Sequence, residues 1–190
     1  MKVLVALIAS VVLSSPLQAA APSDSATKRG EILKLVHTTK ELRQFKEDVA
    51  RTVDGVRKTK PEMPAWFWEE LEREVSADAY AQWLLEIYER TLSLDELREL
   101  NRMFGEPKKK ALIDGLIEKL AGKQGDDFVG TVQKFRRTNE RDTAEEIIRF
   151  MQSSAAANYG TARTEISAGT RDTVIKLLVE ADGRVRARHR

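Results

Sequence analysis

Residues 83–104 read WLLEIYERTLSLDELRELNRMF, and this stretch decides the fold class. Its first part places Trp83, Leu84, Ile87 and Tyr88 at spacings of one and three residues, which puts them on one broad face of a helix. Its second part has leucines at 94, 97 and 100 followed by Phe104, which is a further helical stripe. The stretch therefore predicts two consecutive amphipathic helices whose apolar faces are buried.

A helix-start signal separates the two stripes. Ser93 directly precedes the second stripe, and Glu96 lies three residues after Ser93. In such a capping box the serine hydroxyl accepts from the Glu96 backbone N–H, while the glutamate side chain accepts from the serine N–H. A second serine, Ser76, is predicted to cap the helix that precedes Leu92.

Apolar stripes of the same kind lie on both sides of this stretch. Upstream they comprise Leu42, Phe45, Val49, Val53 and Val56, and downstream Leu112, Ile113, Leu116, Ile117 and Leu120. Thr38 and Thr39 are predicted to cap the upstream helix, which Pro61 and Pro64 end. The predicted fold class is all-α, a compact bundle of six to eight short amphipathic helices.

Helical signals weaken beyond Gly125. We expect short helices over residues 126–135 and 143–151, and a last helix over 170–182 that Gly183 stops. Residues 153–170 are rich in Ala, Ser, Gly and Thr, which fits either a loop or an extended helix. A β-hairpin around Asp182–Gly183 is a weaker alternative, because a lone hairpin is marginal in water.

The first twenty residues have the pattern of a secretory signal peptide. A positive start at Lys2 is followed by an apolar run over Val3–Leu13 and by small residues at Ala19 and Ala20, where cleavage is expected. A buried N-terminal helix is the alternative. The run is too short to cross a membrane, and no later segment approaches the length needed. We therefore expect a periplasmic or secreted protein that spans no membrane and, lacking cysteine, has no lipoprotein anchor.

The mature chain is predicted to form one helical domain over residues 24–183. Within it, residues 32–120 carry the family resemblance described below, residues 126–183 are a less certain helical extension, and residues 184–190 are a basic tail. A chain of about 170 residues buries enough surface to be stable without disulfides or metals.

Composition excludes several classes of function. The 32 Lys and Arg against 30 Asp and Glu leave a net charge of only +2, which argues against a nucleic-acid partner. There is no cysteine, and the two histidines, His37 and His189, stand in no Glu-x-x-His motif. The acidic run Glu69–Glu74 is read as a solvated face, because neighbouring helical residues point in different directions. We expect no metal, no cofactor and no identifiable catalytic residue.

Three segments carry a resemblance to a known family. Residues 63–71 (MPAWFWEEL), 83–90 (WLLEIYER) and 92–100 (LSLDELREL) resemble the DUF2059 family of exported bacterial proteins of unknown function. That family has an Ile/Val-Tyr pair before a Ser/Thr-x-Glu-Glu-Leu helix start, matched by Ile87-Tyr88 and residues 93–97. Its usual Phe-Tyr-x-Ser-Pro-x-Gly continuation is altered here to FGEPKK at 104–109. The resemblance implies an exported all-helical domain and brings no catalytic residues.

Two candidate binding features remain. Trp66, Trp68 and Trp83 could line an apolar groove for a lipid or a partner helix, although aromatic stripes at helical spacing more often face a neighbouring helix. The C-terminal cations Arg184, Arg186, Arg188 and Arg190 could dock on an anionic lipid surface, or form a frayed, solvated tail.

The sequence favours a non-enzymatic binding or interaction module of the bacterial envelope, whose partner is an envelope protein or an anionic lipid surface. Two alternatives stay open. One is a hydrolase-type enzyme that uses carboxylates, and the other is a lipid-binding protein with an apolar groove between helices.

Overall fold

The computed structural model describes residues 24–190, so the predicted signal peptide over 1–20 lies outside the described residues. The described residues form helices joined by short connections and contain no strand, which confirms the all-α prediction. Its helices are α1 (Asp24–Thr39), α2 (Glu41–Thr59), α3 (Ala65–Glu74), α4 (Ala77–Thr91), α5 (Leu94–Gly105), α6 (Pro107–Leu120), α7 (Gly125–Thr138), α8 (Arg141–Met151) and α9 (Ser154–Arg188). None of these helices is long and apolar enough to cross a membrane.

The predicted caps position the central helices. Ser93 accepts from the Glu96 backbone N–H at 3.2 Å and its own N–H donates to Glu96 Oε2 at 2.8 Å, which confirms the capping box of α5. Ser76 likewise accepts from the N–H of Ala79 and begins α4. Pro61 and Pro64 lie between α2 and α3, as expected.

The junction of α1 and α2 differs from the prediction. The hydroxyls of Thr38 and Thr39 donate back to carbonyls of α1, so neither threonine caps α2. Instead a single residue, Lys40, separates the helices with a left-handed φ of 62°. With these two helices counted as one bent unit, the described chain has eight helical units, within the predicted six to eight.

Helix α9 is one continuous helix of 35 residues. It absorbs the segment 153–170 and continues through Gly183, so the hairpin alternative and the predicted helix stop are wrong. An exposed glycine inside a helix costs only about 1 kcal/mol relative to alanine. Buried contacts of Ala181 and Val185 on either side of Gly183 hold this turn in the helix.

Helix α9 ties the two halves of the chain together. It packs against α2, α3, α4, α5 and α8, while α1 packs mainly against α5. The buried residues from Ile32 to Val185 form one apolar core, so the region after Gly125 shares the core of residues 32–120. Within this core Phe45 of α2 stacks on Tyr80 of α4 with ring centroids 4.0 Å apart.

Candidate functional site: a cleft between α2 and α9

A buried carboxylate lies where α2, α4 and α9 meet. Glu41, the first residue of α2, is only 3% exposed. The Tyr88 hydroxyl of α4 donates to its Oε1 at 2.6 Å, and Nη1 of Arg163 on α9 donates to the same oxygen at 2.5 Å. The left-handed conformation of Lys40 directs the chain into this position. Because a non-glycine residue seldom adopts that conformation, surrounding contacts must hold it there.

The carboxylate is only half satisfied. Both donors reach Oε1, while Oε2 of Glu41 is buried and has no hydrogen-bond partner. A buried carboxylate oxygen without a donor is costly. The helix N-terminus beside Glu41 offsets part of that cost, because it favours negative charge.

The phenols around this carboxylate are held in their protonated form. Burial, reinforced by the charge of Glu41, raises the pKa of Tyr88 and of Tyr159, whose rings lie parallel with centroids 6.3 Å apart. Burial also raises the pKa of Tyr80. At neutral pH these side chains are therefore hydrogen-bond donors rather than nucleophiles or bases.

The buried cluster adjoins an open cleft between α2 and α9. This part of the cleft, which we call the polar half, has a volume of about 530 Å³ and Tyr80 among its lining residues. Its charged lining residues are Glu41, Asp48, Arg51, Arg163 and Arg171. Two carboxylates thus face three guanidinium groups, which leaves one positive charge in excess.

Ion pairs account for four of these five charges. Arg163 pairs with Glu41, and Arg51 pairs with Asp48 at 2.5 Å. Arg171 is exposed and forms no ion pair with any described residue. The unbalanced cation of the polar half is therefore Arg171.

A second cavity continues the cleft towards the C-terminal ends of both helices. This apolar half has a volume of about 280 Å³ and is lined by Phe67, Trp68 and Leu71 of α3. Thr52 and Ile175 line both halves, which makes the cleft continuous. The charged groups of the apolar half are Lys60 and the Asp182–Arg186 ion pair.

Several apolar side chains of the apolar half face water. Val56 is 40% exposed, Ile175 44% and Val179 67%. Beneath them, Trp68 is 3% exposed, yet its indole N–H has no acceptor. The cleft thus has one buried, unpaired polar atom in each half, Glu41 Oε2 in the polar half and Trp68 Nε1 in the apolar half.

The structure separates the three candidate tryptophans. Trp68 lines the apolar half of the cleft. Trp83 is half-buried between Tyr80 and Gly169 of α9, and a Cβ added to Gly169 would lie 2.8 Å from its ring. Trp66 is exposed on α3, with its ring 4.5 Å from that of His189. One groove containing all three is therefore not formed.

Arg184 and Arg188, together with His189, pair with carboxylates of α3 instead of forming a free tail. Arg188 donates to both Glu70 and Glu74, Arg184 donates to Glu74, and His189 contacts Glu70 at 2.9 Å. The acidic run of α3 is thus the partner of these cations. Hydrogen bonds from His189 and Arg188 hold the pKa of Glu70 below its usual value.

The same holds for the neighbouring carboxylate, because the hydrogen bond from Arg188 lowers the pKa of Glu74. The Arg186 guanidinium donates to Asp182 of α9 and lies over the Phe67 ring of α3. Arg190 follows the helix and is exposed.

The acidic side chains of residues 24–190 are dispersed or paired with cations. No group of three or more Asp, Glu, His or Cys residues there is placed to hold a metal ion. Within the cleft, Glu41 and Asp48 are both engaged by arginines. The arrangement favours binding through arginine, hydroxyl and apolar groups.

Comparison with family models, with curated proteins and with solved structures finds no match for this chain.

Proposed function

We propose that this protein is an exported, non-enzymatic binding protein of the bacterial envelope, and that its α2–α9 cleft holds an amphiphilic ligand. The observation that carries the proposal is the continuity of a charged half and an apolar half within one cleft. The apolar run at Val3–Leu13 and the resemblance to the DUF2059 family support the exported location.

The size and exposure of the cleft support the proposal. Small-molecule sites commonly measure about 300–1,000 Å³ and combine apolar walls with a few placed polar groups. The exposed side chains of Val56, Ile175 and Val179 lie together beside a cavity, whereas exposed apolar residues without a role are usually scattered. The lipid-binding alternative from the sequence is therefore the form of binding that the geometry favours.

The enzymatic alternative has weaker support. A carboxylate-dependent hydrolase needs one acid and one base facing a scissile bond. Oε1 of Glu41 already accepts two hydrogen bonds, and Asp48 pairs with Arg51. No observation on these residues favours the hydrolase over the binding protein.

Binding of a neutral apolar dye such as N-phenyl-1-naphthylamine tests the proposal. The dye's fluorescence should rise on entering the apolar half. Ile175→Asp places a carboxylate where the two halves meet, and it should abolish most of that rise because a bound apolar dye would strip water from the new charge. Ile175 is exposed, so the fold should be retained.

Val129→Asp is the matched control. Val129 is an exposed β-branched residue on α7, away from the cleft. The Val129→Asp variant should bind the dye as the unmodified protein does. Equal dye binding by both variants, or no binding by the unmodified protein, would overturn the proposed function.

A further inference from the structure

We propose that the ligand of the α2–α9 cleft is a single-chain phospholipid, with its phosphate at Arg171 and Arg163 and its acyl chain in the apolar half. This inference rests on the proposed function and specifies the ligand class. It is carried by the charge of the polar half, the unpaired oxygen of Glu41 and the dimensions of the apolar half.

The charge balance favours a phosphate. Once the Glu41–Arg163 and Asp48–Arg51 pairs are formed, Arg171 is the unpaired cation of the polar half. In the described chain Arg163 uses only Nη1 in hydrogen bonding, so its remaining N–H groups are free to donate. Arg163 and Arg171 line the same half of the cleft and lie about 12 Å apart along α9, so both side chains would have to extend towards one phosphate, which arginine binds in bidentate fashion.

The unpaired oxygen of Glu41 favours a head group that also carries a donor. Oε2 of Glu41 is buried without a hydrogen-bond partner and belongs to a residue that lines the polar half. Because Oε2 is covered, a hydroxyl or ammonium group next to the phosphate would supply the missing donor only after the covering side chains shift. An ionised fatty acid has no such donor and would be repelled by Glu41, so it fits less well.

The length of the cleft favours an extended molecule. The lining residues of α2 and α9 advance together, from Glu41 and Arg163 in the polar half to Val56 and Val179 in the apolar half, so the two helices run in the same direction. From Arg163 to Val179 the helix rises by about 24 Å. An extended ligand can therefore lie along the cleft, with its head group in the polar half and its acyl chain in the apolar half.

The volume of the apolar half favours a lipid with one acyl chain over a lipid with two. A water-sized group occupies about 30 Å³, so about nine such groups fill the cavity. That matches the greater part of one acyl chain, whose remainder would lie against Ile175 and Val179. Two chains would leave most of their surface in water.

A head-group series tests the inference. The exported protein, stripped of bound lipid, is titrated below the critical micelle concentration with palmitoyl lysophosphatidylethanolamine, monopalmitoylglycerol and palmitate. Intrinsic tryptophan fluorescence, to which Trp68 contributes, is followed. The lysophospholipid should bind about tenfold more tightly than monopalmitoylglycerol, the effect of one hydrogen bond to a charged group. It should also bind more tightly than palmitate.

Arg171→Ala should lower lysophospholipid affinity by about tenfold and leave monopalmitoylglycerol binding unchanged. Lys176→Ala is the matched control, because Lys176 is an exposed cation on α9 outside the cleft lining. Equal affinity for all three amphiphiles, or equal effects of the two substitutions, would overturn the phospholipid inference and leave the proposed function standing.

Two further outcomes distinguish failure of the proposed function from failure of the phospholipid inference. Absence of binding by every amphiphile, together with absence of dye binding, would overturn the proposed function itself. Crosslinks from the cleft helices to another polypeptide in the native envelope, lost in Ile175→Asp, would show a protein occupant and overturn the phospholipid inference.

Discussion

Glu41 of α2 joins α4 and α9 through its hydrogen bonds to Tyr88 and Arg163, and it is far less exposed to water than Arg163. The carboxylate is 3% exposed, whereas the Arg163 side chain is 39% exposed. The two halves of the ion pair should therefore respond differently to substitution.

Arg163→Met should cost about 3–5 kcal/mol of unfolding free energy, because it leaves a buried carboxylate without its cation. Glu41→Gln keeps an acceptor for Tyr88 and leaves a guanidinium that reaches water, so it should cost only about 1–2 kcal/mol. Urea unfolding measures both. The double variant Arg163→Met with Glu41→Leu should be milder than Arg163→Met alone. Equal costs for the two single substitutions would contradict this description of the pair.

The tyrosines give a pH-dependent prediction. Burial raises the pKa of Tyr80, Tyr88 and Tyr159 above the usual value of 10.0, and these are all three tyrosines of the chain. Their contribution to stability is present below pH 10 and is lost as the pH rises towards the higher native pKa values. Absorbance at 295 nm should show no tyrosine ionisation near pH 10, and then a joint rise with unfolding. Separate titration of one tyrosine in the folded protein would contradict this.

At the level of helices, the approach of α4 to α9 depends on Gly169. Alanine there would gain about 1 kcal/mol of helix propensity. Its Cβ would lie 2.8 Å from the Trp83 ring, which Tyr80 holds from the other side. We expect Gly169→Ala to lower stability by about 1 kcal/mol, because overpacking exceeds the gain.

Gly183→Ala is the matched control in the same helix. Nothing lies within 4 Å of a Cβ at Gly183, so this substitution should raise stability by up to about 1 kcal/mol. Thermal unfolding of the two variants distinguishes them. A gain in both would show that the Trp83 ring moves aside freely. Replacing Trp83 by leucine should relieve the cost at Gly169.

The end of α9 depends on its ion pairs with α3. The pKa values of Glu70 and Glu74 are lowered by their histidine and arginine partners, so this contact is present above pH 4.5 and weakens as the pH falls through the lower native values. The double variant Glu70→Gln, Glu74→Gln should speed amide hydrogen exchange at residues 184–188. The exchange is measured by mass spectrometry at neutral pH.

The control for this prediction uses two other glutamates of α3. Glu69 and Glu72 are exposed and form no ion pair with a described residue, so their double glutamine variant should leave exchange at 184–188 unchanged. If both double variants accelerate exchange equally, the specific pairs with the C-terminal cations do not hold the helix end.

The sequence predicted elements that are controlled locally. Ser76 and Ser93 begin helices because each lies directly before an apolar stripe and competes with no other cap. The break at Lys40 was missed because Thr38 and Thr39 can bond either forwards as caps or backwards to α1. The length of α9 was missed because contacts made across the fold outweigh the low helix propensity of Gly183.

The candidate site was only partly predictable. The sequence allows Trp68 either a core position or a groove position, and in the structure it is a 3% exposed core residue that also borders the apolar half. Glu41 was overlooked, although it precedes Phe45, Val49 and Val53 at intervals of four and so belongs to their buried stripe. A carboxylate at the end of an apolar stripe was the available signal. Its partner Arg163 is 122 residues away, and no local pattern indicates that pairing.

For the molecule as a whole, the long helix α9 lies against α2 along a cleft that changes from charged to apolar. Helices α3 and α4 pack against α9 on the side of the apolar core. The cleft between α2 and α9 remains open because no other described helix covers it. The charged half of this cleft is lined by three arginines, and the proposed binding of an amphiphile depends on them.

Native mass spectrometry of the protein recovered from its own envelope tests this account most directly. The account predicts a chain that begins after Ala19 or Ala20 and carries one single-chain phospholipid, which is lost in Ile175→Asp and retained in Val129→Asp. A bare chain in every sample, or a chain that still carries its first twenty residues, would contradict it.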